Sequence, residues 1–249
     1  MHYALSASSR ELIRRFAGPD TLLAFDFDGT LAPIVSQPDR ARLRPVTRML
    51  LRRLAEHHTC LVLSGRSRND LRHMLDGTGI RHLIGNHGAE PWEGARQVRR
   101  QVDHWQQVLA AELPDLAGLW VENKTFSLTA HYRQCSAKRA ARARIAEVAR
   151  SLKGARLVEG KESVSIVSRS APHKGTALKT AMTRLKFDRA LYVGDDETDE
   201  DAFAAGSKTR PVFSIRVSRK KDSAATHFLR NQHEIDDLLR QILGASRGR

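Results

Sequence analysis

Short apolar runs separated by amphipathic stretches make up both ends of this chain. Thr21 to Phe25, Thr59 to Leu63, His82 to Ile84 and Ala190 to Val193 read as buried strands, each followed at once by a turn rich in glycine or acid. Val212 to Val217 reads as a further strand. Between them lie helical patterns. Ser8 to Phe16 carries Leu12, Ile13 and Phe16 on one face, with Ser9 a possible cap, and Pro45 can start a helix whose Val46, Met49, Leu50 and Leu54 fall at helical spacing. Ser67 with Asp70 resembles a capping box, Leu178, Ala181 and Leu185 space another helix, and Glu234 to Leu243 closes the chain. Strand alternating with helix predicts the α/β class, a Rossmann-like core built on a parallel sheet.

The rhythm changes at about Pro91. A helix from Val98 to Ala111 leads to strand-like runs Leu119 to Lys124 and Phe126 to Arg133, then a helix from Ala137 to Leu152 with Ile145, Val148 and Leu152 as its buried stripe. Arg156 to Glu159 and Val164 to Val167 pair around Gly160. Helix, hairpin, helix, hairpin predicts an inserted α+β domain. The expected division is core over 1–95, insertion over 96–170 and core again over 171–249. No internal repeat, low-complexity tract or long linker interrupts it.

Candidate chemistry sits at the ends of the apolar runs. Asp26 and Asp28 leave the first strand together at the turn made by Gly29, and two carboxylates held so close repel unless a cation such as Mg²⁺ lies between them. Ser64, in the turn Ser64-Gly65-Arg66, lies beside a helix N-terminus, where backbone N–H groups and a hydroxyl can hold a phosphate. Lys174 stands at a helix start, where the dipole disfavours positive charge, so it reads as meeting an anion. Asp195, Asp196, Glu197, Thr198, Asp199 and Glu200 follow the strand at Val193; they point to a metal, although Thr198 and Asp199 could instead cap the helix through Phe203. His87, in a glycine-bounded loop, reads as a loop donor more readily than as a ligand-facing group. Ligands of open α/β sheets bind outside the carboxyl ends of the strands, and carboxylates, a hydroxyl and a lysine there describe a phosphoryl-transfer site.

Charge adds one more choice. The 249 residues hold 42 Lys and Arg against 28 Asp and Glu, a formal +14, which raises nucleic acid, a membrane surface or a phosphorylated substrate as partners. The basic residues are spread over nearly every expected helix and aromatics are only 6%, so the stacking platforms of a nucleic-acid module are missing and no nucleic acid is expected. A basic scaffold binding nucleic acid or a partner is the rival class, to be recognised by a steeply salt-dependent affinity. No apolar stretch approaches the roughly 20 residues that span a bilayer and no secretory signal opens the chain, so a cytoplasmic monomer without membrane contact is expected. Cys60 and Cys135 lie far apart, with neither disulfide nor zinc spacing.

Taken in order, D-F-D-G-T, the serine of L-S-G-R, the lysine of H-K-G and G-D-D-E-T-D-E resemble the motifs of the haloacid dehalogenase-like phosphatases. The resemblance implies that Asp26 is the nucleophile and becomes an aspartyl phosphate. It implies that Asp28 protonates the leaving oxygen and later activates water, that Asp26, Asp28, Asp195 and Asp199 serve Mg²⁺, and that Ser64, Gly65, Lys174 and Thr30 surround the phosphate. An insertion between the second and third motifs marks a cap in that superfamily. More narrowly, D-F-D-G-T-L-A-P-I, L-S-G-R-S, G-N-H-G-A-E and V-E-N-K with the following H-Y-R are similar to the trehalose-6-phosphate phosphatases. That likeness puts Arg66, His87, Glu122, Lys124, Arg133 and Lys161 among the substrate contacts, with hydrolysis of trehalose 6-phosphate to trehalose and phosphate as the expected activity. Sucrose phosphate and glucosyl- or mannosyl-glycerate phosphates are the alternatives. One position departs from the family pattern: Ser165 stands about where a glutamate is usual, with Glu162 nearby. Loss of such a contact loosens substrate choice rather than phosphoryl transfer.

Overall fold

The computed structural model describes residues 1–91, 95–160 and 162–246. The chain divides into two units, Met1–Gly88 with His173–Arg249 and Ala89–Pro172. The seams therefore fall at 88/89 and 172/173, against the expected 95/96 and 170/171.

The first unit is built on a seven-stranded sheet with the order β1-β11-β10-β9-β2-β3-β4. Its strands are β1 (His2–Tyr3), β2 (Thr21–Phe25), β3 (Cys60–Leu63), β4 (His82–Ile84), β9 (Arg189–Gly194), β10 (Val212–Val217) and β11 (His227–Leu229). Every pairing is parallel. The helices are α1 (Arg10–Phe16), α2 (Pro45–Ala55), α3 (Arg68–Met74), α6 (Lys174–Arg184), α7 (Glu200–Phe203) and α8 (Ile235–Ser246). Strands in such a sheet are apolar on both sides because both faces are covered. Leu23, Phe25, Val62, Leu191 and Val193 pack under α1, α2 and α8, whereas Leu22, Ala24, Leu61, Leu63 and Tyr192 pack under α6 and α7. This double coverage is why the runs read as continuous rather than alternating.

The second unit holds α4 (Ala95–Glu112), β5 (Trp120–Asn123), β6 (Ser127–His131), α5 (Lys138–Ser151), β7 (Ala155–Gly160) and β8 (Ser163–Ser168). Its antiparallel sheet has the order β5-β6-β8-β7. Val98, Val102, Trp105 and Leu109 of α4 and Ala141, Ile145 and Val148 of α5 cover Leu128, Ala130, Val164 and Ile166. Helical and two-residue periods here meet on one apolar face. The strands β1 and β11 were not expected; at two and three residues they are too short to carry a period.

Both cysteines are free and buried, and burial pushes the Cys60 thiol up to about 12, which keeps it protonated. Among the described residues no helix is long and apolar enough to cross a membrane.

Candidate active site

The carboxyl end of β2 sets the centre. Asp26 N donates to Val193 O of β9 at 2.8 Å, so the sheet continues one residue past the strand and delivers the carboxylate between β2 and β9. The next residues fold back: Gly29 N donates to Ala32 O and Ala32 N to Phe27 O, both at 2.8 Å. Gln232 Nε2 fastens this loop from outside by donating to Thr30 O at 3.0 Å and Leu31 O at 3.1 Å. Gly29 sits at φ +79°, and a Cβ there would lie 2.1 Å from Asp195 Oδ2. Only glycine lets the two acidic loops approach this closely.

Asp26, Asp195 and Asp199 each place an oxygen within 4.8 Å of the others. Lys174, the first residue of α6 and 1% exposed, lies among them, its Nζ donating to Asp26 Oδ1 at 2.9 Å and to Asp199 Oδ1 at 2.7 Å. The anion it meets at the helix start is thus a pair of the protein's own carboxylates. Burial works against its charge, but Asp199 and Asp26 outweigh burial and raise its pKa well above the usual amine range. Asp26 is raised by burial, opposed by Lys174 and pushed further by Asp199 and Asp195. Asp195 is pushed up to about 8 by burial and by Asp199 and Asp196.

Asp199 differs from the other two. Its Oδ1 accepts from Lys174 and from Tyr192 OH at 2.6 Å, and its Oδ2 accepts from Asp195 N at 2.9 Å and Asp196 N at 3.0 Å. A carboxylate has about four acceptor positions, and here all are used. The Asp195–Asp196 turn is gripped on its other side by Arg216 of β10, 7% exposed, whose guanidinium donates to Asp195 O, to Asp196 O at 3.0 Å and to Glu200 Oε1 at 2.7 Å. Asp196 closes the turn before α7, its Oδ1 accepting from Thr198 N at 2.9 Å and Asp199 N at 3.2 Å, while Asp199 stands at the N-cap position with no side-chain bond to the helix. This corrects the alternative that Thr198 and Asp199 do the capping. Asp199 faces backward because Lys174 and Tyr192 hold it.

Asp28 receives two N–H bonds from Arg66, Nε to Oδ2 and Nη2 to Oδ1, both 2.6 Å. Arg66, expected at the substrate, therefore orients a catalytic candidate. The fully buried Thr30 donates weakly to Asp195 Oδ1 at 3.4 Å. Ser64, 1% exposed at the end of β3, accepts from Arg66 N at 3.2 Å, and Ser67 opens α3 by accepting from Asp70 N at 3.1 Å. His87 has φ 55° and its N donates to Ser64 O at 2.9 Å. Its ring lies so close to Gly65 that a Cβ there would sit 2.4 Å from it, which keeps position 65 bare. Asp26, Asp28, Thr30, Ser64, Gly65, Arg66, His87, Lys174, Asp195 and Asp199 thus all belong to one unit.

The other candidates belong to the second unit. Glu122 Oε2 lies 3.0 Å from His131 Nε2 and 3.6 Å from Lys124 Nζ. Burial opposes charge on Glu122, but His131 and Lys124 outweigh it and hold the carboxyl below its usual range. Arg133 pairs instead with Glu162 at 2.9 Å, which also takes Lys138. Ser165 Oγ lies 3.2 Å from Thr129 Oγ1. Lys161 lies outside the described residues. Tyr192 and Arg216 escaped the sequence reading; the available signal was a polar group inside an apolar run, A-L-Y-V and F-S-I-R-V.

A buried lysine among aspartates at the carboxyl edge of a doubly covered parallel sheet, with an α+β unit inserted in the chain, defines the class. The fold is that of the haloacid dehalogenase-like phosphotransferases: it superposes on a subclass IIB sugar phosphatase of that superfamily with a TM-score of 0.60 at 14% identity, covering 90% of this chain and 99% of that one. The trehalose-phosphatase family model matches residues 24–233, and the chain belongs to that family. It is 28% identical to trehalose 6-phosphate phosphatase RA3 of Zea mays, over 97% of this chain and 74% of the relative. Trehalose-phosphate phosphatase B of Arabidopsis thaliana is 26% identical over 94% of this chain and 69% of its own length. The C-terminal domain of a C. albicans trehalose-6-phosphate phosphatase superposes with a TM-score of 0.81 at 20% identity, over 98% of this chain and 99% of that one.

Proposed function

We propose that the chain hydrolyses trehalose 6-phosphate to trehalose and phosphate with Mg²⁺, through a phosphoryl group carried on Asp26. The observation that carries the chemistry is the approach of Asp26, Asp195 and Asp199 oxygens to within 4.8 Å of one another beside the buried Lys174, which pairs with Asp26 and Asp199 and lies 3.9 Å from Asp196. Burial raises Asp26 and Asp195 first, and the neighbouring carboxylates, which outnumber the one ammonium of Lys174, raise them further, so ionising them is costly without a cation. A hard divalent cation with bonds of about 2.1 Å spaces its ligand oxygens about 3 to 4 Å apart, and the oxygens of this cluster lie within 4.8 Å of one another. Asp26 Oδ2 and Asp195 Oδ2 have no hydrogen-bond donor among the described residues, so these two carboxylates would hold the ion with the Asp28 carbonyl, while Asp199 supports from behind. When bound, Mg²⁺ would neutralise charge on the phosphoryl oxygens and on Asp26.

In the first step an Asp26 carboxylate oxygen attacks phosphorus, and the bond from phosphorus to the sugar oxygen breaks. Asp28 gives its proton to that oxygen, so trehalose leaves. Both Asp28 oxygens accept from Arg66, so the guanidinium must release one of them before that oxygen can carry the proton it gives. In the second step Asp28 takes a proton from water, the water oxygen attacks phosphorus, and the Asp26–phosphorus bond breaks to free phosphate. Lys174 and Ser64 take charge on the phosphoryl oxygens. Residues 89–172 would form the cap, with Glu122, Lys124, Arg133 and Lys161 offering hydrogen bonds to sugar hydroxyls.

A second reading, another sugar phosphate, is favoured by Ser165, whose hydroxyl pairs with Thr129 where the family resemblance expects a carboxylate. Phosphate release from trehalose 6-phosphate, sucrose 6-phosphate, glucose 6-phosphate and glucosylglycerate phosphate separates the two. Turnover of trehalose 6-phosphate alone supports the first; equal turnover of the others overturns it and leaves the core chemistry standing.

A further inference from the structure

The sheet of the second unit has two unlike faces. Alternation along β6 and β8 sends Leu128, Ala130, Val164 and Ile166 to the side covered by α4 and α5, and Thr129, His131, Ser163 and Ser165 to the other. On β5, Trp120 stands opposite His131 and Glu122 opposite Thr129, so Trp120 and Glu122 share that polar face. Trp120 is 55% exposed. Its indole is nonetheless fixed, because it stacks on the His131 ring with centroids 4.6 Å apart and planes 19° from parallel. His131 is in turn held by Glu122.

A scattered surface tryptophan needs no explanation. This one is held by a stack on a face it shares with Glu122, Thr129 and Ser165, where Lys124 lies 3.6 Å from Glu122 and the two hydroxyls pair at 3.2 Å. A pyranose ring has the complementary form, a flat face of C–H groups rimmed by hydroxyls. Aromatic rings offer large rigid apolar area at little conformational cost, and a few placed polar groups then fix orientation.

We propose that Trp120 is a specificity-determining residue, its indole supporting the apolar face of one glucose ring while Glu122 and Lys124 bond the hydroxyls. The proposal rests on the disaccharide-phosphate reading above. It adds a contact of a different kind from the charged ones that reading already uses.

The test is steady-state kinetics of wild type, Trp120→Ala and Trp120→Phe with trehalose 6-phosphate, together with product inhibition by inorganic phosphate, which reports the phosphate site and not the sugar. The expected result is KM raised roughly tenfold in Trp120→Ala with a far smaller change in kcat, and recovery to within about threefold in Trp120→Phe. The inhibition constant of phosphate should stay near wild type. A KM within about twofold of wild type overturns the proposal, as does a parallel shift of KM and the phosphate constant, the signature of general disruption. If wild type turns over another sugar phosphate and not trehalose 6-phosphate, the substrate reading falls. The same KM ratio measured on that sugar phosphate then decides the role of Trp120.

Discussion

The two units handle polar side chains in opposite ways. In the first, Asp26, Lys174 and Asp199 are buried and joined to one another at the end of a parallel sheet. In the second, Glu122, Lys124, His131 and Arg133 lie on or beside an antiparallel sheet, partly exposed and linked in pairs. A dry, multiply bonded cluster keeps its geometry while charge moves through it, which is what phosphoryl transfer demands. A half-exposed polar face has weaker mutual bonds that hydroxyls of a ligand can replace one for one. On the proposed function the first arrangement would serve chemistry and the second recognition, so mutations in the two should fail differently.

The largest effect is expected from Asp26→Asn, which replaces the proposed attacking carboxylate by a neutral amide. Turnover should fall by at least about 10³-fold with the fold retained, read by phosphate release beside circular dichroism. Next comes Lys174→Met, which leaves two buried carboxylates without their cation. Breaking such a pair costs about 3 to 5 kcal/mol, so denaturant melts should show a large loss of stability as well as of turnover. Glu122→Gln should behave in the contrary manner, raising KM for the sugar phosphate roughly tenfold while moving stability by less than about 1 kcal/mol. A loss of stability in Glu122→Gln as large as in Lys174→Met would erase the distinction between the units.

The smallest effect is a pH dependence confined to the core. Asp195 titrates near 4 in an unfolded chain and at about 8 when folded. Between those values the folded form holds a proton that the unfolded chain has released, so without metal this residue's contribution to stability is lost as pH rises through the window. Thermal melts in EDTA should therefore give a lower Tm at about pH 8 than at about pH 6, and Mg²⁺ should raise Tm more at the higher pH. An equal Mg²⁺ increment at both would show that Asp195 does not take part.

Much of this was legible in the sequence because parallel strands buried on both faces leave unbroken apolar runs, and because the chemistry needs particular residues at particular strand ends. Asp26, Ser64, Lys174 and Asp195 stand out by position at strand ends and a helix start, and the structure brings Asp26, Lys174 and Asp195 together. What stayed hidden depends on contacts between distant segments. Arg66 gripping Asp28, Tyr192 supporting Asp199 from within β9, and Arg216 clasping the Asp195–Asp196 turn from β10 all join residues that no local period relates. Asp196, which closes the turn, and Asp199, which Lys174 and Tyr192 hold, could not be told apart, since acids in one turn differ only in what lies behind them. In the second unit the strands and helices were readable, but Trp120 resembled any exposed aromatic until its register with His131 was known.

The most direct test of the central claim, that Asp26 carries the phosphoryl group, is mass spectrometry of acid-quenched enzyme taken during turnover of trehalose 6-phosphate with Mg²⁺. The expected result is a phosphoryl adduct on the peptide containing Asp26, absent from the Asp26→Asn protein. A phosphoryl group on another residue, or sustained turnover by Asp26→Asn, would contradict it.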